Sequence, residues 1–263
     1  MQTGWGAHIA LEKCGTCDRR ATTPWAAKTY EEFLGGRTLP DPSVIVPDMG
    51  SLLEFLIDRR SDLLDLGLQH ILVVGASVLS CAVIGISLGV ATYRTSRPRE
   101  IILAVTSAFL TIPSFALFIL LIGPLGIGTR PVVVALTMYG LLPIVRNTIT
   151  GLREVDPATL ESAQGMGMSR RQRLLSIELP MAWPVILTGL RVTTLILVGI
   201  ATIGSIVDGP GYGTLIFDGL ARVGSPIAVN LVLGGMIGVI VVAMLFDAAF
   251  SLLDRLTTSQ GLQ

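Results

Sequence analysis

The chain alternates long apolar stretches with short polar segments. Five stretches are close to the length of about 20 residues that a helix needs to cross the hydrocarbon core of a bilayer. They are Leu66–Tyr93, Ile101–Ile122, Pro131–Ile149, Val185–Val207 and Ala228–Leu253. Glycine and proline within them are compatible with membrane helices, because neighbouring helices satisfy the backbone groups that these residues free. The pattern therefore predicts an all-α membrane protein with five transmembrane helices.

The whole chain then divides into four regions. Residues 1–48 are polar and contain four prolines, which predicts loop or disorder with one short helix near Ala26–Leu34. Residues 49–65 are amphipathic, which predicts an interfacial helix that leads into the first span. Residues 66–256 form the predicted transmembrane domain, and residues 257–263 form a short tail.

Composition excludes several classes of function. Hydrophobic residues make up 51% of the chain and charged residues 14%, against about 25% charged in soluble domains, so the excess apolar surface must face lipid. The formal net charge is zero, which argues against nucleic acid as a partner. Cys14 and Cys17 with His8 are one ligand short of a structural zinc site. With no catalytic constellation and no P-loop in the sequence, we expect neither enzymatic activity nor a cofactor bound by this chain.

The arginines predict the orientation of the spans, because cytoplasmic loops are enriched in basic residues. The segments after the first, third and fifth stretches carry eight: Arg94, Arg97, Arg99, Arg153, Arg170, Arg171, Arg173 and Arg255. The opposite side carries four: Arg59, Arg60, Arg130 and Arg222. This places the N-terminus outside and the C-terminus inside. Residues 1–48 hold five basic and six acidic residues and would then have to cross the membrane, which weakens this orientation.

Two pairs of glycines have the four-residue spacing that lets helices approach closely. They are Gly85 with Gly89 and Gly234 with Gly238. We expect both pairs to pack helices within the chain rather than to form a dimer seam.

The polar segment between the third and fourth stretches has the signals of a short helix. Asp156 followed by Pro157 is typical of an N-cap and a first helical residue. Gly165 and Gly167 interrupt the helix, because glycine readily leaves the helical conformation. The sequence therefore predicts a helix that ends in a glycine turn.

A second helix follows this turn. Ser169, with Gln172 three residues later, has the spacing of a capping box. We expect the helix to end at Pro180, because proline cannot continue the backbone hydrogen bonds. Residues 156–180 thus predict helix, turn and helix at the cytoplasmic surface.

This segment resembles the EAA loop of binding-protein-dependent ABC importer permeases, whose pattern is E-A-A, three residues, G, nine residues and I-x-L-P. Six of the seven defined positions match: Glu161, Ala163, Gly167, Ile177, Leu179 and Pro180. Ser162 departs from the pattern but is small, like the usual alanine. The resemblance implies that a short helix docks on a separate ATPase, that Glu161–Gly167 touch it, and that all these positions, with Gly165, belong to the coupling segment.

The residue types suit such a contact. Small Ser162 and Ala163 permit a close approach, and Glu161 can pair with a basic group on the partner. Gly167 permits a sharp turn with a positive φ. The alternative interpretation is a plain amphipathic linker at the membrane surface.

Five stretches resemble the osmoprotectant branch of this family: Thr111–Ser114, Tyr139–Thr148, Gly165–Met168, Asp208–Gly213 and Ile216–Gly219. The similarity spans residues 50–254. It implies an inner-membrane permease that imports glycine betaine, carnitine, choline or proline betaine. Residues 1–48 have no counterpart, so they are either a lineage-specific tail or the result of a mis-assigned start, with Met49 as the first residue.

The resemblance also implies partners. They are two ATPase subunits that use ATP and magnesium, a second permease that is identical or related, and an extracytoplasmic substrate-binding protein. Aromatic residues are only 6% of the chain, and the sequence shows no aromatic cage for a quaternary ammonium ion. We therefore expect the binding protein to supply the affinity.

Several residues within the stretches are candidates for the solute pathway. Thr111, Pro113 and Ser114 interrupt the second stretch, and a proline there frees carbonyl groups that can line a wet path. A simple bend is the alternative. Pro143 and Asn147 in the third stretch are further candidates.

Three charged residues have more than one possible role. Arg146 and Arg191 lie within apolar stretches, where a charge is a functional candidate by default. We favour arginines that snorkel or tie the bundle to the segment between the third and fourth stretches over contact with a substrate carboxylate. Asp208 either meets the binding protein or caps a turn.

Two other functions stay open. A permease for methionine, and so for amino-acid transport, or for another small solute would share the coupling segment. An ATPase-independent channel or a membrane scaffold would not need it. The gene for the binding protein distinguishes the cargoes, since an aromatic cage there indicates betaine or choline.

Overall fold

The structure, a computed structural model, describes residues 49–257, and every regular element in that range is helical. We number its ten α-helices in chain order. They are α1 (Met49–Asp58), α2 (Arg60–Thr92), α3 (Ser96–Thr111), α4 (Ser114–Leu125), α5 (Thr129–Arg153), α6 (Pro157–Gly165), α7 (Arg170–Arg173), α8 (Leu179–Ile203), α9 (Gly213–Ala221) and α10 (Pro226–Thr257). A π-helical turn, Leu174–Glu178, joins α7 to α8, and a 3₁₀ turn, Gly204–Val207, follows α8.

Four helices are long and apolar enough to cross a bilayer, and a fifth span is formed if the bent pair α3–α4 is taken as one. The single spans are α2, α5, the continuous helix Arg170–Val207, and α10. Each covers one predicted stretch, and α3 with α4 covers the remaining one. The prediction of an all-α, multi-pass membrane protein is confirmed.

The hydrophobic pattern indicated one helix for the second stretch, but the structure has two. Helices α3 and α4 meet at an angle of 100°. The break follows from Pro113, which disfavours the helical conformation in the residue before it, and Ile112 is accordingly extended, with φ −75° and ψ 128°. The Ile112 carbonyl, outside both helices, accepts a hydrogen bond from Tyr139 Oη at 2.6 Å.

The fourth span also differs from the prediction, because the helix does not end at Pro180. It runs without interruption from Arg170 to Val207. The interfacial helix is shorter than expected: α1 ends at Asp58, and residues 60–65 already belong to α2. No glycine or proline separates Arg60 from the first apolar stretch, so the span helix extends into the polar residues before it. Helix α9 was not predicted.

Helix α5 lies at the centre of the bundle. In its apolar window 61% of the residues are buried, against 44% in the Arg170–Val207 helix and 28% in α2. Glycines on the neighbouring helices allow this close packing. A Cβ atom added to Gly85 or Gly89 of α2 would lie within 3 Å of side-chain atoms of Ile144 or Thr148 of α5.

The second glycine pair packs helices in the same way. A Cβ atom at Gly234 of α10 would lie 2.8 Å from the Phe55 ring of α1, and one at Gly238 would lie 2.4 Å from the Tyr212 ring. Both pairs therefore make contacts within the chain, as expected.

Some expectations lie outside the described residues. They are the organisation of residues 1–48, including the short helix near Ala26–Leu34 and the Cys14, Cys17 and His8 group, and the tail at residues 258–263.

We predict that Gly89→Ala destabilises the bundle while Gly75→Ala on the same helix does not. The new methyl group at position 89 would lie 2.6 Å from Thr148 Cγ2, whereas nothing lies within 4 Å of the corresponding position at Gly75. Overpacking of this kind costs about 1–3 kcal/mol. Thermal unfolding of the purified protein should show a lower Tm for Gly89→Ala only, and an equal Tm for both variants would contradict the packing described.

Candidate functional site

The coupling segment, residues 156–180, begins with the helix that the sequence predicts. Asp156 Oδ1 accepts a hydrogen bond from the Ala158 amide at 3.1 Å, and Pro157 occupies the first turn. This side chain satisfies one of the amides that a helix start leaves unpaired. Helix α6 therefore has a defined start, directly after the central helix α5.

The turn after α6 depends on one glycine. Gly167 has φ +79°, a conformation that side chains rarely adopt. The next amide, of Met168, then donates to the carbonyl of Ala163 at 3.2 Å. Ser169 Oγ accepts from the Gln172 amide at 3.3 Å and so caps the second helix. Both the positive φ and this cap are as predicted.

The exposed surface of the segment lies on α6 and its turn. Glu161 and Ser162 are exposed, and Met166 at the turn is 74% exposed. Ala163 differs from the expectation, because it is completely buried within the chain. Its small side chain packs inside this protein, so the surface available to a partner consists of the residues around it.

The segment joins α8 through the π-helical turn. In an α-helix the ring of Pro180 would clash with the carbonyl four residues earlier. Here the preceding turn is wider, and the Leu179 amide donates to the Leu174 carbonyl, five residues back. The helix therefore passes through Pro180 instead of ending there. Ile177 and Leu179 are half-buried at this turn, and Pro180 is exposed.

A buried carboxylate holds this junction. Glu178, only 1% exposed, accepts from Arg94 Nη2 at 2.7 Å, Arg173 Nε at 3.1 Å and Tyr93 Oη at 2.5 Å. Arg94 Nε also donates to Tyr93 Oη. We call these four residues the Glu178 cluster. It joins three parts of the chain: the end of α2, helix α7, and the turn before α8.

The cluster extends to α6 as well. Arg173 Nη1 donates to Gln164 Oε1 at 3.3 Å.

Tyr93 lies directly after the span helix α2. Burial is the main cause that raises the pKa of Tyr93 to about 12, and the hydrogen bond and charge of Glu178 add to it. The phenol is therefore protonated at neutral pH and can donate to the carboxylate.

Glu178 was not predicted as a site residue, because it stands at the undefined position of the I-x-L-P pattern. The available signal was an acidic residue between apolar Ile177 and Leu179 at the edge of a span, since an acid rarely occurs there without a partner. Removing one partner of a buried ion pair typically costs about 3–5 kcal/mol, because the other charge is left uncompensated.

The candidate pathway residues form two groups at different positions along α5. Thr111, Pro113 and Ser114 form the break between α3 and α4, which Tyr139 of α5 contacts. Asn147 lies about 12 Å further along α5, at 1.5 Å per residue, and donates to the Pro143 carbonyl at 2.8 Å. The structure therefore does not bring the two groups into one site, although α5 connects them.

The three charged candidates differ in their surroundings. Arg191 of α8 binds Asp247 of α10 through two hydrogen bonds of 2.6 and 2.8 Å, so it ties two spans together rather than the bundle to the coupling segment. Asp247 was not singled out from the sequence. Arg146 is exposed. Asp208 has φ +59° and follows the 3₁₀ turn, where its amide donates to Ser205, so it ends a turn.

Within residues 49–257, no group of three His, Cys, Asp or Glu side chains is placed to hold a metal ion.

The family model for the inner membrane component of binding-protein-dependent transport systems matches residues 82–259. The chain is 34% identical to the choline transport system permease protein OpuBB of Bacillus subtilis, over 82% of this chain and 97% of that protein. It is 40% identical to the osmoprotectant import permease protein OsmY of Salmonella typhimurium, over 64% of this chain and 72% of that protein. An inward-facing structure of the methionine ABC transporter MetNI matches with a TM-score of 0.65 at 23% identity, over 75% of this chain and 96% of that chain.

The multi-span bundle and the family match define the class: a transmembrane permease subunit of an ABC importer. The chain belongs to the family of binding-protein-dependent transport system inner membrane components. It is an inner-membrane transport subunit rather than an enzyme, and it works with a separate ATPase and a substrate-binding protein.

We predict that Arg191 and Asp247 depend on each other. Arg191→Gln or Asp247→Asn removes one charge of the pair and leaves the other without its hydrogen-bonded partner at membrane depth, which is unfavourable. The double variant removes both charges and should recover much of the stability that either single variant loses. Thermal unfolding of the four proteins tests this, and losses that simply add in the double variant would show that the pair does not tie the helices.

Proposed function

We propose that this permease carries small quaternary ammonium osmolytes, of the glycine betaine, choline, carnitine and proline betaine type. The observation that carries the proposal is similarity along most of the chain to permeases with such names. Besides the choline permease, the glycine betaine/carnitine/choline permease OpuCB of Bacillus subtilis is 33% identical over 97% of its length. Similarity of this extent supports a shared class of cargo.

Methionine is the second candidate cargo. The solved methionine transporter is 23% identical to this chain, a likeness that establishes the fold alone. The permeases of higher identity therefore favour osmolytes over methionine. A channel or scaffold is disfavoured, because neither would need the exposed coupling surface described above.

The coupling segment is proposed as the surface that docks on the ATPase. Glu161, Ser162 and Met166 are exposed on α6 and its turn, and Glu161 can pair with a basic group there. Met166 suits an apolar groove, because methionine is flexible and polarizable. The capped start of α6 and the turn at Gly167 hold this surface in one orientation. Ile177, Leu179 and Pro180 connect it to α8.

The proposed assembly contains two ATPase subunits that use ATP and magnesium, and two permeases, either identical or paralogous. A binding protein delivers the osmolyte from outside. The arginine distribution supports an outer N-terminus and an inner C-terminus. Closure of the ATPases on ATP swings the coupling segments and converts the pathway from inward-facing to outward-facing.

The pathway is proposed to pass the break at Thr111, Pro113 and Ser114 and then Pro143 and Asn147. Non-helical backbone at membrane depth is tolerated where it is buried in protein or lines a water-filled cavity. Thr111 and Pro113 are exposed in a single permease chain, which supports a position on a wet path between two permeases.

Deletion of the gene should abolish uptake of labelled glycine betaine at high osmolality, and the intact gene should restore it. The physical reason is that the route across the bilayer cannot form without this permease. The test requires a strain without other betaine transporters, with choline and methionine uptake measured in parallel. Loss of methionine uptake with unchanged betaine uptake would reject the proposed cargo.

Gly167→Val should remove ATP-driven uptake, whereas Gly167→Asn, of similar size, should retain most of it. A β-branched residue is a strong outlier at positive φ, while asparagine tolerates this conformation. Uptake and co-purification of the ATPase should be measured for both variants. Equal activity would show that the left-handed turn is dispensable, and equal loss would indicate that space at the docking surface, not backbone geometry, requires glycine.

A further inference from the structure

We infer that the Glu178 cluster is the joint that carries movement of the coupling segment to the first span, α2, as well as to α8. The inference rests on the proposed coupling function and adds a route and a residue to it. Glu178 acts here as a positioning residue, because it holds other elements in place and touches no substrate.

The chain offers covalent and non-covalent routes from α6 into the bundle. The covalent routes lead back through residues 154–156 into α5 and forward through α7 and the π turn into α8. The non-covalent route leads from Gln164 of α6 to Arg173, then to Glu178, and from Glu178 to Tyr93 and Arg94 at the end of α2. Helix α2 ends at Thr92, far in sequence from the coupling segment at residues 156–180, so no short stretch of chain connects the two. The cluster is therefore its direct connection to α6 and α7 among the described side-chain contacts.

The chemistry of the cluster suits a joint that keeps its length. Hydrogen bonds between ionised groups are shorter and stronger than neutral ones, and water, which would weaken them, is largely excluded from Glu178. The Arg173 side chain is 15% exposed and that of Arg94 is 38% exposed. The carboxylate thus has its more shielded arginine on the coupling side and its shorter hydrogen bonds, from Tyr93 and Arg94, on the α2 side.

The backbone at the same position departs from α-helical geometry. Glu178 is the last residue of the π-helical turn, and such turns are frequent at functional sites. A wide turn next to a fixed carboxylate lets the segment rotate while its connection to α2 is kept. A purely structural ion pair would not need to lie at this turn or to join three elements.

Two partial disruptions test the joint without leaving the buried carboxylate unpaired. Tyr93→Phe with Arg94→Gln cuts the connection to α2 and keeps the Arg173 pair. Arg173→Gln cuts the connection to α6 and α7 and keeps the Arg94 pair. Arg97→Gln is the matched control, because Arg97 is an exposed arginine in the first turn of α3, three residues after Arg94. Glu178→Gln is less informative, since it leaves two arginines facing each other without an anion.

The measurement is labelled glycine betaine imported per ATP hydrolysed, in proteoliposomes that contain the whole transporter and its binding protein. Each partial disruption should lower this ratio at least threefold, with co-purified ATPase and Tm close to those of the unmodified complex and of Arg97→Gln. A ratio equal to that of the unmodified complex in both disruptions would overturn the inference. So would loss of the bound ATPase, because the cluster would then shape the docking surface rather than transmit its movement.

Failure of the proposed cargo gives a different result. The unmodified complex would then hydrolyse ATP in response to the binding protein but import no glycine betaine. In that case the measurement becomes the stimulation of ATP hydrolysis by the binding protein. We expect this stimulation to fall at least threefold in each of the two disruptions. Stimulation equal to that of the unmodified complex in both disruptions would overturn the inference.

Discussion

The absence of water in the bilayer core is the constraint on which this structure depends. Backbone groups there must find partners within the protein, which is why the spans are helices. The Ile112 carbonyl, exposed by the break between α3 and α4, is satisfied by Tyr139. Hydroxyl groups within the spans follow the same rule, since Ser77, Thr148 and Thr193 each donate to the carbonyl four residues earlier.

The same constraint determines how the helices touch. Lipid tails are as apolar as leucine side chains, so close packing, rather than the exclusion of water, holds membrane helices together. Gly85 and Gly89 let α2 approach α5, and Gly189 lets α8 approach Asn147. Helix α5 is thereby enclosed, and a displacement of α2 or α8 must be accommodated by contacts along its length. The position of the coupling segment directly after α5 places the proposed docking surface at the end of this central helix.

Much of the fold could be predicted from the sequence, because the length and apolar character of each span are local properties. The capped start at Asp156 and the positive φ at Gly167 were predicted for the same reason. Errors arose where one residue permits two structures. Pro113 breaks its span by 100°, whereas Pro180 is accommodated by a wider turn within a continuous helix. The sequence around a proline does not distinguish these outcomes, which depend on what packs against the freed backbone groups.

In the candidate site, too, features set by the local sequence were predicted and contacts between distant segments were not. The resemblance to the EAA loop pointed to Glu161 and Ser162, which are exposed, because they lie in one contiguous segment, but it did not predict the burial of Ala163. It could not identify the Glu178 cluster, whose members lie up to 85 residues apart and meet only in the folded chain. Arg191 and Asp247, 56 residues apart, are a second instance. The partners in these ionic contacts between distant segments were therefore not predicted. Each of the two contacts nevertheless contains a charged residue at the edge of or within an apolar stretch.

The Glu178 cluster also explains why a π turn is tolerated next to a functional surface. A wide turn alone would make the connection between α7 and α8 compliant, and movement at α6 would be absorbed there. The carboxylate at its last residue is held from two sides by Arg94 and Arg173, which limits how far the turn can open. Proline at position 180 requires the wider turn, and the ion pairs restrain it. Together they produce a junction that can rotate without lengthening, which is the mechanical property that coupling an ATPase to membrane spans requires.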